Sequence, residues 1–274
     1  RDSVLAAARQ RRGPAASADP LLELYATETA RLDALVDALP PSALDTPTHN
    51  GLSVRDLLIH LAAQETMLAA VVGEPVAGVD VVEADLERRT AAFLARYERR
   101  PLDEARAAWA QAVAGVRRWA RTADDAQPVD FFGLPMRRET VLVNRAFETW
   151  IHADDIRRAL GRALDPPRPE HLHVMADLSM HTMPAALRLV GREHAGSTAR
   201  IVLTGAGGGG GDWLVPLGSG AGGARPDVTM TLDVVDWCLL AGERLAPEDV
   251  PQRVDGDASL AADLLAAAPA FATL

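Results

Sequence analysis

The chain is expected to fold in two parts, an all-α helical bundle followed by a small α+β domain. Three observations lead to this expectation. From Leu21 to Gly161, apolar residues recur at threes and fours in segment after segment. Proline and glycine breaks between those segments are short, as in a bundle of antiparallel neighbours. After Pro169 the pattern changes to one more helix and then short β-type runs.

The first helix is expected from Leu21 to Leu39, with Leu21, Leu24, Tyr25, Leu32, Leu35, Val36 and Leu39 on one stripe. Pro40-Pro41 ends it. After a polar loop, Ser53 reads as an N-cap, with Asp56 at the third helical position. The helix that follows, Val54 to about Val72, carries Val54, Leu57, Leu58, Leu61, Leu68 and Val71 on one face, and His60 lies at the border of that stripe. Two further helices, 82–99 and 102–122, are separated by Pro101. Residues 123–138 read as a loop, and 139–161 as a long helix closed by Gly161.

Past Pro169, a helix over 170–190 precedes β-type runs at 199–204, 213–217 and 228–232. Helices at 233–243 and 258–267 complete the second part. The run Gly205–Gly211 has no G-K-[S/T] ending and no helix directly after it, so it reads as a flexible hairpin connection rather than a phosphate cradle. The resulting division is a 1–19 extension or linker, a helical domain over 20–165 and an α+β domain over 166–274.

Composition narrows the class. At 48% hydrophobic and 24% charged, the 274 residues suit an ordinary globular protein. A formal charge of −10, from 28 basic and 38 acidic residues, argues against a nucleic-acid partner. No apolar run of about eighteen residues suggests a membrane span. The single Cys238 excludes an intrachain disulfide and fits a reducing, cytoplasmic setting. It lies in an apolar run and reads as a buried small hydrophobe. His171 and His173, two apart on a helix, read as surface residues.

The chemistry-bearing stretch is Arg145-Ala-Phe-Glu148-Thr-Trp-Ile-His152-Ala-Asp-Asp155. On a helix, Glu148 and His152 project from one face at i, i+4 and can reach one metal ion. His60, from another helix, supplies a third ligand. Two imidazoles and one carboxylate suit a divalent metal, zinc first, with a coordination position left open for chemistry. Arg137, Arg138 and Arg145 are candidates for holding an anionic cofactor or substrate group. Asp155, three after His152, is a candidate orienter of that ring, unless it pairs with Arg158. Asp56, four before His60, reads as a helix cap.

These motifs carry a resemblance. Ser53-Val54-Arg55-Asp56-Leu57-Leu58-Ile59-His60-Leu61 resembles the S/T-V-R-D-L-x-x-H-L segment of the mycothiol-dependent maleylpyruvate isomerase family, a group of DinB-like four-helix metalloproteins. Arg145, Glu148, His152 and Asp155 match its R-x-x-E-x-x-x-H-x-x-D segment, and the region from Ile201 to about Leu265 is similar to its sterol-carrier-like C-terminal domain. The resemblance implies His60, Glu148 and His152 as zinc ligands, with mycothiol on the open position and Arg145 and Asp155 serving catalysis. It also implies a thiolate that adds to a cis double bond, allows rotation and leaves to give the trans product. Relatives would use the same thiol as isomerases or S-transferases on a small electrophile. The alternative is a non-catalytic sensor or regulatory module that keeps the metal site. Such a module could be the C-terminal part of an anti-sigma-type protein, with an upstream domain or protein partner. One departure concerns the pocket: Thr48-His49-Asn50-Gly51-Leu52 stands where relatives often carry C-P-G-W, which alters its wall or mouth.

Overall fold

The computed structural model describes residues 19–49, 51–80, 85–131, 133–219 and 225–273. Of the expected N-terminal extension only Asp19 falls among them. The tip of the glycine-rich segment, at 220–224, also lies outside the described residues. The chain divides into two compact units, residues 1–165 and 166–274.

In the first unit, α1 (Pro20–Asp37) begins where Asp19 Oδ1 accepts from the backbone N–H of Leu21 and Leu22, at 3.0 and 3.2 Å. Helix α2 (Val54–Val71) starts at Ser53, whose Oγ accepts from Asp56 N at 3.1 Å and lies 2.8 Å from the Asp56 carboxylate. Asp56 is therefore part of this cap. Helix α3 (Leu86–Tyr97) is capped by Asp85, and α4 (Leu102–Ala120) follows Pro101. Helix α5 (Arg138–Ala159) is the longest element of the unit, at 22 residues. Packing is pairwise: α1 lies on α5, and α2 lies on α4 and α3.

The core between these helices is apolar and continuous, with Leu57, Leu61, Phe93, Val116, Phe131, Leu142 and Ile156 among its members. The unit is not wholly helical. Residues expected as loop form an antiparallel ribbon, β1 (Val129–Phe131) with β2 (Leu134–Met136), turning at Gly133 with φ +75°. Pro135 sits within β2, because a two-stranded ribbon has only edges and tolerates a missing N–H donor. Phe131 and Met136 point from the ribbon into the core.

The second unit opens with α6 (Pro169–Leu189). Its sheet has four strands in the order β4-β3-β5-β6, comprising β3 (Thr198–Thr204), β4 (Gly211–Pro216), β5 (Val228–Asp233) and β6 (Gln252–Gly256). Strands β3 and β5 run parallel and the outer pairs are antiparallel. The β3–β4 hairpin is built on the glycine run. A Cβ at Gly210 would sit 2.1 Å from the carbonyl oxygen of Leu203, so only glycine fits there. Strand β6 was not expected, because its sequence is polar apart from Val254 and shows no buried alternation. It is an edge strand held through its backbone to β5. Helices α7 (Val234–Ala241) and α8 (Ala258–Ala267) complete the unit. His171 corrects the surface reading: it is buried, with Nε2 2.8 Å from Arg168 Nη2. His173 is exposed, and Cys238 is buried with its thiol pushed up to about 12 by desolvation.

Replacing the α2 cap, Ser53→Ala, is expected to lower stability by about 1 kcal/mol. The urea midpoint of unfolding measures it, and an unchanged midpoint would show that the cap contributes nothing.

Candidate metal centre

Helices α2 and α5 bring their polar positions together inside an otherwise apolar unit. On α5, Arg145, Glu148, His152 and Asp155 follow one another at i, i+3, i+7 and i+10 and share a face. On α2, His60 and Gln64 are one turn apart. The helices meet so that Gln64 Oε1 accepts from Arg145 Nη2 at 2.8 Å. One turn away, the rings of His60 and His152 stand edge to face, with centroids 5.4 Å apart.

Each imidazole is held by its Nδ1. His152 Nδ1 lies 3.0 Å from Asp155 Oδ2, and Asp155 is fully buried. Arg158 instead pairs with Asp154, so Asp155 is directed at the histidine. His60 Nδ1 lies 2.9 Å from Thr90 Oγ1 on α3. A partner on Nδ1 is the arrangement that fixes the ring of a metal-ligating histidine. Glu148 Oε2 sits 3.5 Å from His152 Nε2.

These separations fit donors around one ion. Two ligands of a tetrahedral zinc at its usual bond lengths are about 3.3 Å apart, and two imidazoles sharing it have centroids roughly 5 Å apart. The donor chemistry fits as well. His60 is lowered to about 3 by burial, then by the neighbouring His152 and Arg145, so its ring is neutral and its lone pair available. Among the described residues, no group of three His, Cys, Asp or Glu side chains stands where it could hold a metal ion. Glu148 Oε2 rests on His152 Nε2 rather than standing apart as a third donor.

Behind the cluster lies a polar network that spacing alone did not reveal. Arg145 and Glu65 are both fully buried, with Arg145 Nε 3.2 Å from Glu65 Oε2. The Tyr25 hydroxyl on α1 donates to Glu65 Oε1 in a short hydrogen bond. Burial, then the Glu65 charge, pushes the Tyr25 phenol well above its ordinary range, so it stays a donor. Arg145 Nη1 is buried with no hydrogen-bond partner among the described residues. The signal in the sequence was the Gln64-Glu65-Thr66 triplet inside the apolar run from Leu61 to Ala69. Polar side chains there had to be buried, and buried charge needs partners.

Arg137 and Arg138 are not brought to this cluster. They sit at the start of α5, about 21 Å along the helix from His152. Arg137 is exposed, 3.9 Å from Glu139. Arg138 is buried and occupied: it donates to the Ala120 carbonyl at 2.7 Å, lies 3.3 Å from Asp125 and pairs with Asp19. Its role is to tie the start of α1 to the end of α4. Arg55 likewise donates to the Tyr97 and Arg100 carbonyls at the end of α3.

An open groove of about 510 Å³ borders the cluster, lined by His60, Leu86, Glu87, Thr90, Ala91 and Leu94.

Residues 25–157 match the family model described as the mycothiol maleylpyruvate isomerase N-terminal domain. Among solved structures, the chain resembles a crystal structure of the mycothiol-dependent maleylpyruvate isomerase and one of its histidine-to-alanine mutant. Each has a TM-score of 0.57 at 15% sequence identity, covering 85% of this chain and 91% of the other. At that identity the likeness carries the fold. No curated protein matches the chain.

Two outcomes are expected from this geometry. Breaking the buried pair with Arg145→Met should destabilise the protein by about 3–5 kcal/mol, and adding Glu65→Leu should recover much of the loss. A double variant no more stable than the single, in urea unfolding, would contradict this. The second outcome concerns pH. Between 6.5 and about 3 the unfolded chain binds a proton at His60 that the folded chain does not. This contribution is therefore complete above pH 6.5 and is lost as pH falls through that window. In metal-free protein, His60→Gln should flatten the loss of stability between near-neutral and acidic pH; parallel profiles would contradict the assignment.

Proposed function

From the match of residues 25–157 to the mycothiol maleylpyruvate isomerase N-terminal domain, we propose that the chain is a divalent-metal-dependent thiol isomerase or S-transferase of that family. In this reading His60, Glu148 and His152 hold zinc or a similar divalent ion, and mycothiol is the thiol that attacks a small electrophile. The observation that carries it is the meeting of His60 and His152 across α2 and α5, each ring fixed through Nδ1 with Glu148 alongside. A bound divalent ion would supply Lewis acidity, lowering the pKa of a coordinated thiol so that thiolate exists at neutral pH.

The protein's own residues supply the rest. Asp155 sets the tautomer and angle of His152, and Thr90 does the same for His60. Arg145, held rigid by Glu65 and Gln64, places a desolvated positive charge near His60, where it favours an anionic sulfur. Its unpartnered Nη1 is the donor left for that anion. Arg137 and Arg138 have no part in this scheme. The helical unit is read as a DinB-like four-helix metal domain over 20–165, with α3 as the added helix, and the sheet-bearing unit over 166–274 as sterol-carrier-like.

The test is turnover. Purified protein with zinc and mycothiol should convert maleylpyruvate or a generic electrophile, and His152→Ala should abolish both bound metal and thiol-dependent rate. Asp155→Asn should weaken metal affinity roughly 10–100-fold, as loss of an orienting partner does. Full thiol-dependent turnover by His152→Ala would remove this centre from the chemistry. Metal binding with no turnover of any electrophile would favour a sensor module.

A further inference from the structure

The groove beside His60 has the wrong chemistry for a dicarboxylate. Apart from His60 and Thr90, it is lined by the apolar side chains of Leu86, Ala91 and Leu94 and by the carboxylate of Glu87. No arginine lines it. None of the three nearest in the sequence or at the cluster is among its lining residues. Arg89 is buried on the other face of α3, donating to the Ala63 carbonyl at 2.8 Å and Thr66 Oγ1 at 3.0 Å, over the ring of Phe93. Arg88 is solvent-exposed, 3.6 Å from the capping Asp85. Arg145 is tied to Glu65 and Gln64, beneath the cluster rather than along the groove. A carboxylate entering the groove would meet the Glu87 carboxylate and apolar surface, and lose hydration without gaining a partner.

We propose that the groove formed by Leu86, Ala91 and Leu94 on α3 selects an uncharged electrophile with an alkyl or aryl body, such as an enone, over a dicarboxylate such as maleylpyruvate. The proposal rests on the metal-thiol reading only for the sulfur nucleophile; the selection itself belongs to the groove. The reaction it implies is balanced by thiol and electrophile alone. The thiolate sulfur bonds to the β-carbon, the double-bond electron pair moves to the carbonyl oxygen, and the proton lost by the thiol returns to the α-carbon. Isomerisation, after rotation, removes a proton from the α-carbon, re-forms the double bond and expels the same sulfur as thiolate, which takes the proton back; transfer retains the C–S bond.

Two measurements test this on the full chain. In metal-free protein, the neutral probe N-phenyl-1-naphthylamine should bind with enhanced fluorescence. Binding should weaken roughly tenfold in Leu94→Arg, as expected for lost apolar burial of a few tens of Å². Ala91→Arg, at an exposed helical position, should act in the same direction without risk to the core. In cobalt-loaded protein, 2-phenylethanethiol should give the sulfur-to-cobalt absorption band at lower concentration than mercaptosuccinate, and Ala91→Arg should reverse the order. Tighter binding of the dicarboxylate by the unaltered chain, or a probe indifferent to both substitutions, overturns the proposal. Absence of a cobalt band with any thiol, while the probe still binds and responds, overturns the metal-thiol reading and leaves the groove's selectivity standing.

Discussion

A carboxylate and a guanidinium, Glu65 and Arg145, meet with no solvent exposure at the centre of the helical unit. Taking both out of water is expensive, and their mutual attraction offsets the cost only where the remaining polar atoms are also engaged. Here Tyr25 and Gln64 supply that engagement from α1 and α2. The requirement fixes three helices in register. A slip of one residue along α5 would leave a buried charge unpaired, a far larger penalty than any apolar mismatch nearby.

That register sets the geometry one turn further on. With Gln64 opposite Arg145, His60 must face His152 and Glu148, because side chains one turn apart on each helix share a face. The apolar core around Leu57, Leu61 and Ile156 keeps water away, which depresses His60 and keeps its ring neutral. The same desolvation makes the charge of Arg145 effective at short range. The core thus gives the cluster its electrostatic character, and the ion pair gives it its alignment. Specificity is a separate matter, decided by α3, whose apolar face beside Thr90 forms the groove wall.

Much of this was legible along the chain. The capping pair Ser53 and Asp56, the helix stripes and the i, i+4 spacing of Glu148 and His152 are local, so periodicity and capping chemistry announced them. What misled were features whose outcome depends on distant partners. Arg138 looked available for an anion, but its environment is Asp19, Asp125 and the Ala120 carbonyl, brought to it only by folding. His171 looked superficial because two histidines two apart on a helix point to different faces, yet it is buried. Strand β6 carries no apolar alternation, since an edge strand is held by backbone hydrogen bonds and needs none.

By itself, then, the order of residues determined where helices begin and end, which faces are apolar, and that Glu148 and His152 share a helix face. Folding alone decided that Asp155 serves His152 while Asp154 takes Arg158, that Thr90 holds His60, and that Arg145 is locked by Glu65. The physical reason is range. Helix propensity, capping and periodicity act within a few residues, whereas the partner of a buried polar group is chosen by whichever chain segments pack against it.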